Sequence, residues 1–67
     1  MTAIERGDHV TMRNIPGVRH GEVERVRSGR LIIDPPEVEV RWCDGGWKTY
    51  SAHRFVSMGW GNWKLER

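Results

Sequence analysis

Residues 37–50, EVEVRWCDGGWKTY, constrain the fold more than any other stretch of the chain. Val38, Val40 and Trp42 alternate with Glu37, Glu39, Arg41 and Cys43. That is the two-residue period of a strand with one buried and one wet face. Asp44-Gly45-Gly46 follows, and glycine accepts the positive φ that a tight hairpin demands. Trp47–Tyr50 then reads as the returning strand. A three-residue turn at 44–46 sets Trp42 opposite Lys48 and Val40 opposite Tyr50, with Tyr50 in the core and Trp47 outside. A two-residue turn sets Trp42 opposite Trp47 and turns Tyr50 out. One residue of slip exchanges the two faces completely.

The flanking sequence extends this β pattern. Eight glycines and three prolines interrupt the 67 residues, and no stretch holds apolar side chains at helical spacing for three turns. A first strand is predicted at His9–Arg13, opened by Gly7-Asp8, with Val10 and Met12 on one face. Asn14–His20 is expected as a loop marked by Pro16 and Gly17. The second strand runs from Gly21 to about Arg27, and its Val23 and Val26 are three apart. A bulge between them would return both to one face. Ser28-Gly29 turns the chain into Leu31-Ile32-Ile33, and Asp34-Pro35-Pro36 stops it, since prolines donate nothing to a ladder. Ser51–Arg54 reads as one helical turn and Phe55-Val56 as a short closing strand. The expectation is an all-β, five-stranded small barrel over residues 7–57. A lead-in at 1–6 precedes it and a Trp-containing tail at 58–67 follows.

Size limits what else supports such a fold. A domain this short buries only about 60% of its unfolded surface, and one cysteine, Cys43, makes no internal disulfide. A lone thiol favours a reducing compartment. The start, MTAIERGD, has no apolar signal region, and no apolar run approaches the ~20 residues of a membrane span. A soluble, cytoplasmic chain is expected. Residues 1–30 hold six arginines against four acids, whereas residues 31–67 balance five bases with five acids.

Two stretches carry a family resemblance. GDHVTMRNIPGVRHGEVERV resembles the opening of KOW and related SH3-like modules, through Gly7, Asp8, Val10, Gly21, Val23 and Val26. Trp42-Cys-Asp-Gly-Gly-Trp-Lys-Thr-Tyr50 resembles the Trp-x-Asp/Asn-Gly-x4-Tyr hairpin of Mib/HERC-type domains and, more loosely, Tudor-like barrels. The resemblance implies a five-stranded SH3-like barrel with a short helical turn before the last strand, and it favours the three-residue hairpin turn. It also implies a binding module, with family ligands ranging from RNA and ribosomal or transcription partners to peptides. The basic clusters are thinner than in most RNA-binding KOW modules, and the long loop of Mib/HERC-type domains is missing. The fold carries over; the ligand does not.

Two candidate surfaces follow. Arg13, Arg19, Arg25, Arg27 and Arg30 lie on or beside the first two strands, where guanidiniums suit phosphate. With Trp47 and Lys48 as a stacking contact, they form a candidate nucleic-acid site. Glu22, Glu24, Glu37 and Glu39 oppose that reading, because they would make the same face a balanced, solvated one. The alternative is a protein-interaction module or accessory subunit anchored by Trp47, Trp60 and Trp63, unless the tail tryptophans fold back to cap the barrel. Other chemistry finds little footing. An aromatic cage from Trp47, Phe55 and Trp60 would need Phe55 exposed. His9, His20, His53 and Cys43 are scattered without zinc-ligand spacing. Cys43 and His53 lack a third group to orient them as a nucleophile and base. Type II dihydrofolate reductases, which are SH3-like barrels, carry a Val-Gln-Ile-Tyr strand where this chain has Trp47-Lys-Thr-Tyr50. The reading is non-catalytic: no cofactor, metal, membrane or small-molecule substrate, and nucleic acid or a protein as partner.

Overall fold

The computed structural model of the chain describes residues 3–14, 17–28 and 35–66. Its strands are β1 (His9–Asn14), β2 (Gly17–Arg27), β3 (Glu37–Trp42), β4 (Trp47–Ser51), β5 (Phe55–Gly59) and β6 (Asn62–Leu65). They form one sheet in the order β4-β3-β2-β1-β6-β5. Neighbours are antiparallel except β1 and β6, which are parallel. Among the described residues the helical content is one 3₁₀ turn, Ala52–Arg54. That turn joins β4 directly to β5, the two outer strands, so the sheet curls and one face encloses the core. The fold is all-β and barrel-like.

Six strands stand where five are predicted, and the tail accounts for the difference. Gly59, Trp60 and Gly61 take φ of 85°, 56° and 72°. This turns the chain back on itself and lays β6 between β1 and β5. The strand beside β1 is therefore β6 and not Phe55-Val56, which begins the longer β5 at the edge. Trp63 and Leu65 supply the reason, for both enter the core. The first hairpin is also longer than predicted. Val18, Arg19 and His20 pair with Arg13, Met12 and Thr11, so β2 starts at Gly17 and not at Gly21. The β1–β2 pairing runs out to Asn14 and Gly17, so most of the predicted Asn14–His20 loop is strand. The segment from Gly29 to Asp34, with Arg30 and Leu31-Ile32-Ile33, lies outside the described residues.

The expected bulge in β2 is present. Val23 pairs with Val40 but Arg25 with Glu39, leaving Glu24 as the extra residue. Val26 thereby returns to the inner side opposite Val38. The β3–β4 hairpin keeps the predicted faces with a corrected register. Its turn is Cys43-Asp44-Gly45: Trp42 N donates to Gly46 O at 2.7 Å and Gly45 N to Trp42 O at 3.0 Å. Gly45 takes the left-handed φ of 94° that closes a three-residue loop. Asp44 favours this placement, because its carboxylate accepts from Gly46 N at 3.2 Å. Val38 thus faces Tyr50, Val40 faces Lys48 and Arg41 faces Trp47. Relative to the predicted pairing the slip is two residues, so no side chain changes face.

Inside lie Ile4, Val10, Val23, Val38, Val40, Trp42, Tyr50, Phe55, Trp63 and Leu65. Tyr50 meets Trp42 and Phe55 edge-on, with centroids 6.2 and 6.0 Å away. Such pairs add about 0.5–1.5 kcal/mol each beyond area burial. Gly21 is the floor beneath Trp42, and a Cβ there would lie 2.8 Å from Trp42 Cε3 and 2.9 Å from Arg41 O. Asp8 ties the ends together: its carboxylate accepts from Trp63 Nε1 and from Glu5 N, both at 2.9 Å.

Candidate functional site

The sheet distributes the predicted arginines among different tasks. Arg19 sits on the inner side of β2, half-buried, with its guanidinium 4.6 Å from the centre of the Trp42 ring. Its Nε and Nη2 donate to Asp44 at 2.8 and 2.9 Å, a bidentate pair. The pair holds the Asp44 carboxyl below its ordinary range, chiefly through the Arg19 hydrogen bonds and then the Gly46 amide. It raises the Arg19 guanidinium in turn. Arg19 thus clamps the hairpin over Trp42, with Nε and one Nη2 donor committed to Asp44 within the chain.

Arg25 and Arg27 project from the outer face of β2, exposed. Opposite them on β3 stand Glu39 and Glu37, and Arg41 stands opposite Glu22. These outer rows alternate in sign across the strands, as the opposing sequence reading anticipates. Arg13 is exposed at the far end of β1, opposite Val18. Lys48 leans toward Tyr50, its Nζ 5.7 Å from the ring centre. Trp47 is 68% exposed at the start of β4, beside Arg41. The sheet gathers no single basic patch from the described members of the set.

The tail tryptophans part company. Trp63 is buried against β1, opposite Val10, with its indole N–H on Asp8. It is a core residue and offers no anchor to a partner. Trp60 is 100% exposed at the tip of the β5–β6 hairpin. It is also the one non-glycine residue with positive φ among the described residues. The tip is built to hold it there. Asn62 Nδ2 donates to the carbonyls of Gly59 and Trp60 at 3.2 and 3.3 Å. Gly59 N donates to Ser57 Oγ at 3.3 Å, and His9 N to Gly61 O at 2.9 Å. Met58, 62% exposed, and the exposed Val56 extend the apolar surface along β5.

Phe55 is buried against Tyr50, so the cage of Trp47, Phe55 and Trp60 does not assemble. Cys43 lies in the turn before β4 and His53 in the 3₁₀ turn after it, at opposite ends of that strand. Among the described residues no group of three metal-ligating side chains converges, and no helix is long and apolar enough to cross a membrane. Sequence spacing does miss one pairing: His9 and His20 meet on the outer face, nitrogen to nitrogen at 3.1 Å. Only the β1–β2 register brings them together.

Compared with protein-family models, curated proteins and solved structures, the chain matches none.

Proposed function

We propose that the chain is a small non-catalytic interaction module that presents Trp60 on a preformed hairpin to an apolar pocket of a partner protein. One observation carries this reading: a fully exposed tryptophan held at φ of 56° by a polar scaffold. A left-handed, non-glycine residue costs of order 1–3 kcal/mol and persists where the surroundings enforce it. Here the indole returns nothing, because it contacts no part of the core. An aromatic side chain held ready in one place loses little freedom on binding, and tryptophan is the typical centre of an interface. Met58 and Val56 widen the apolar surface beside it. The resemblance to SH3-like binding modules supports the same class.

The nucleic-acid reading retains Arg13, Arg25, Arg27, Trp47 and Lys48, with Arg30 unplaced. The glutamates across from Arg25 and Arg27 weigh against it, as does the commitment of Arg19 to Asp44. One pair of measurements separates the two. Peptide or small-domain ligands selected on the intact chain should lose binding when Trp60 becomes Ser, and should be nearly indifferent to salt. Labelled oligonucleotides should show no polarisation change at about 50 mM salt, where phosphate contacts are strongest. Oligonucleotide binding that falls steeply by about 200 mM salt and again in an Arg25→Ala, Arg27→Ala variant would overturn the proposal in favour of nucleic acid.

A further inference from the structure

His9 and His20 stand eleven positions apart in the sequence, yet the β1–β2 hairpin makes them diagonal neighbours on its outer face. His9 pairs with Glu22 and His20 with Thr11, and both imidazoles are exposed. His9 Nε2 lies 3.1 Å from His20 Nδ1, with ring centroids 5.2 Å apart. The two facing nitrogens are within hydrogen-bond distance of one another.

The same two nitrogens suit a metal ion. Imidazole nitrogens bind zinc at about 2.0–2.1 Å. Nitrogens 3.1 Å apart at that bond length subtend roughly 100° at the metal. That angle lies between the right angle of tetragonal copper(II) or nickel(II) and the tetrahedral angle of zinc. The nitrogens face one another nearly head-on, so each exposed ring turns by roughly 40° to bring both lone pairs onto one metal. The backbone beneath is firm, for β2 is paired on both sides here: His20 O accepts from Cys43 N at 2.9 Å across from the β1 ladder. The histidines line an open depression with Glu22, Arg41 and Cys43. Glu22 and Arg41 are cross-strand partners, so their charges offset one another beside the site.

We propose that His9 and His20 form an exchangeable two-histidine site for a divalent transition metal of the copper, nickel and zinc class, with solvent completing the coordination. With two protein ligands the site is open and labile, unlike a closed four-ligand structural zinc site. Copper(II) should bind most tightly, following the usual order for nitrogen sites. Binding requires both imidazoles neutral, so acid should release the metal.

The test titrates the full chain with copper(II), nickel(II) and zinc(II) chlorides, following heat and the copper paramagnetic resonance spectrum. One equivalent should bind with hyperfine structure from two nitrogens. His9→Gln and His20→Gln should each weaken binding by about tenfold or more, the order lost when even a supporting group of a metal ligand is removed. His53→Gln, at the other end of the molecule's β3–β4 hairpin, should change nothing, and near-ultraviolet dichroism should report an intact core in every variant. Unchanged affinity in both His9→Gln and His20→Gln overturns the proposal. So does equal loss in His53→Gln, or copper binding that vanishes in Cys43→Ser while surviving both histidine variants.

Discussion

At the scale of the residue, Asp44 does two things that its place in an Asp-Gly-Gly turn does not distinguish. It accepts from Gly46 N, as turn aspartates do, and it grips the Arg19 guanidinium that covers Trp42. Because its carboxyl is held below the ordinary value of 3.8, its contribution is complete above that value and fades as pH falls through the lowered one. Acid titration of the denaturant midpoint should therefore show an extra loss of stability below about pH 4. That loss should be missing in Asp44→Asn; an identical acid profile in the two proteins would remove the clamp from the account. The carboxylate's turn role is legible in the sequence. Its partner is not, since Arg19 is 25 residues away and meets it only through the β2–β3 register.

At the scale of the element, the strands were legible wherever side chains alternate without interruption. β3 reads directly from Val38, Val40 and Trp42, and the bulge at Glu24 reads from the three-residue spacing of Val23 and Val26. Turn register is harder, because Asp44-Gly45-Gly46 offers two glycines and a left-handed residue is needed at only one. The choice fell on Gly45 once Asp44 bonded Gly46. Gly21 has the opposite character: its conformation is ordinary and its lack of a side chain is what matters. Gly21→Ala would press a methyl to 2.8–2.9 Å from Trp42, Val40 and the Arg41 carbonyl. Overpacking of this kind costs about 1–3 kcal/mol. Thermal or urea unfolding should register that loss, and Gly21→Ala in a Trp42→Leu background should recover part of it. No recovery would mean that the backbone and not the indole sets the limit.

At the scale of the whole molecule, the tail is part of the sheet. β6 pairs with β1 on one side and β5 on the other, and it brings Trp63 and Leu65 into the core. A chain ending at Gly61 would strip β1 of a neighbour, expose Val10 and leave β5 unpaired. In a domain this small, where net stability is only about 0.05–0.15 kcal/mol per residue, that loss should be fatal. The truncated chain is expected to give the amide spectrum of an unfolded protein, while a chain lacking only the last residues after Leu65 keeps its dispersion. A folded chain ending at Gly61 would show that the first four strands carry the fold alone.

The sequence by itself determined the β class, the inward faces of β1, β3 and the second half of β2, and the bulge. Each of these follows from local alternation or from a residue's own backbone preference, and both act over a few positions. Tertiary structure alone decided that Trp63 is core while Trp60 is bare, that Arg19 is clamped, that Arg25 and Arg27 face glutamates, and that His9 meets His20. All four depend on which strand lies beside which. That choice is settled by burying the apolar faces of all six strands together, and no short stretch of the chain encodes it.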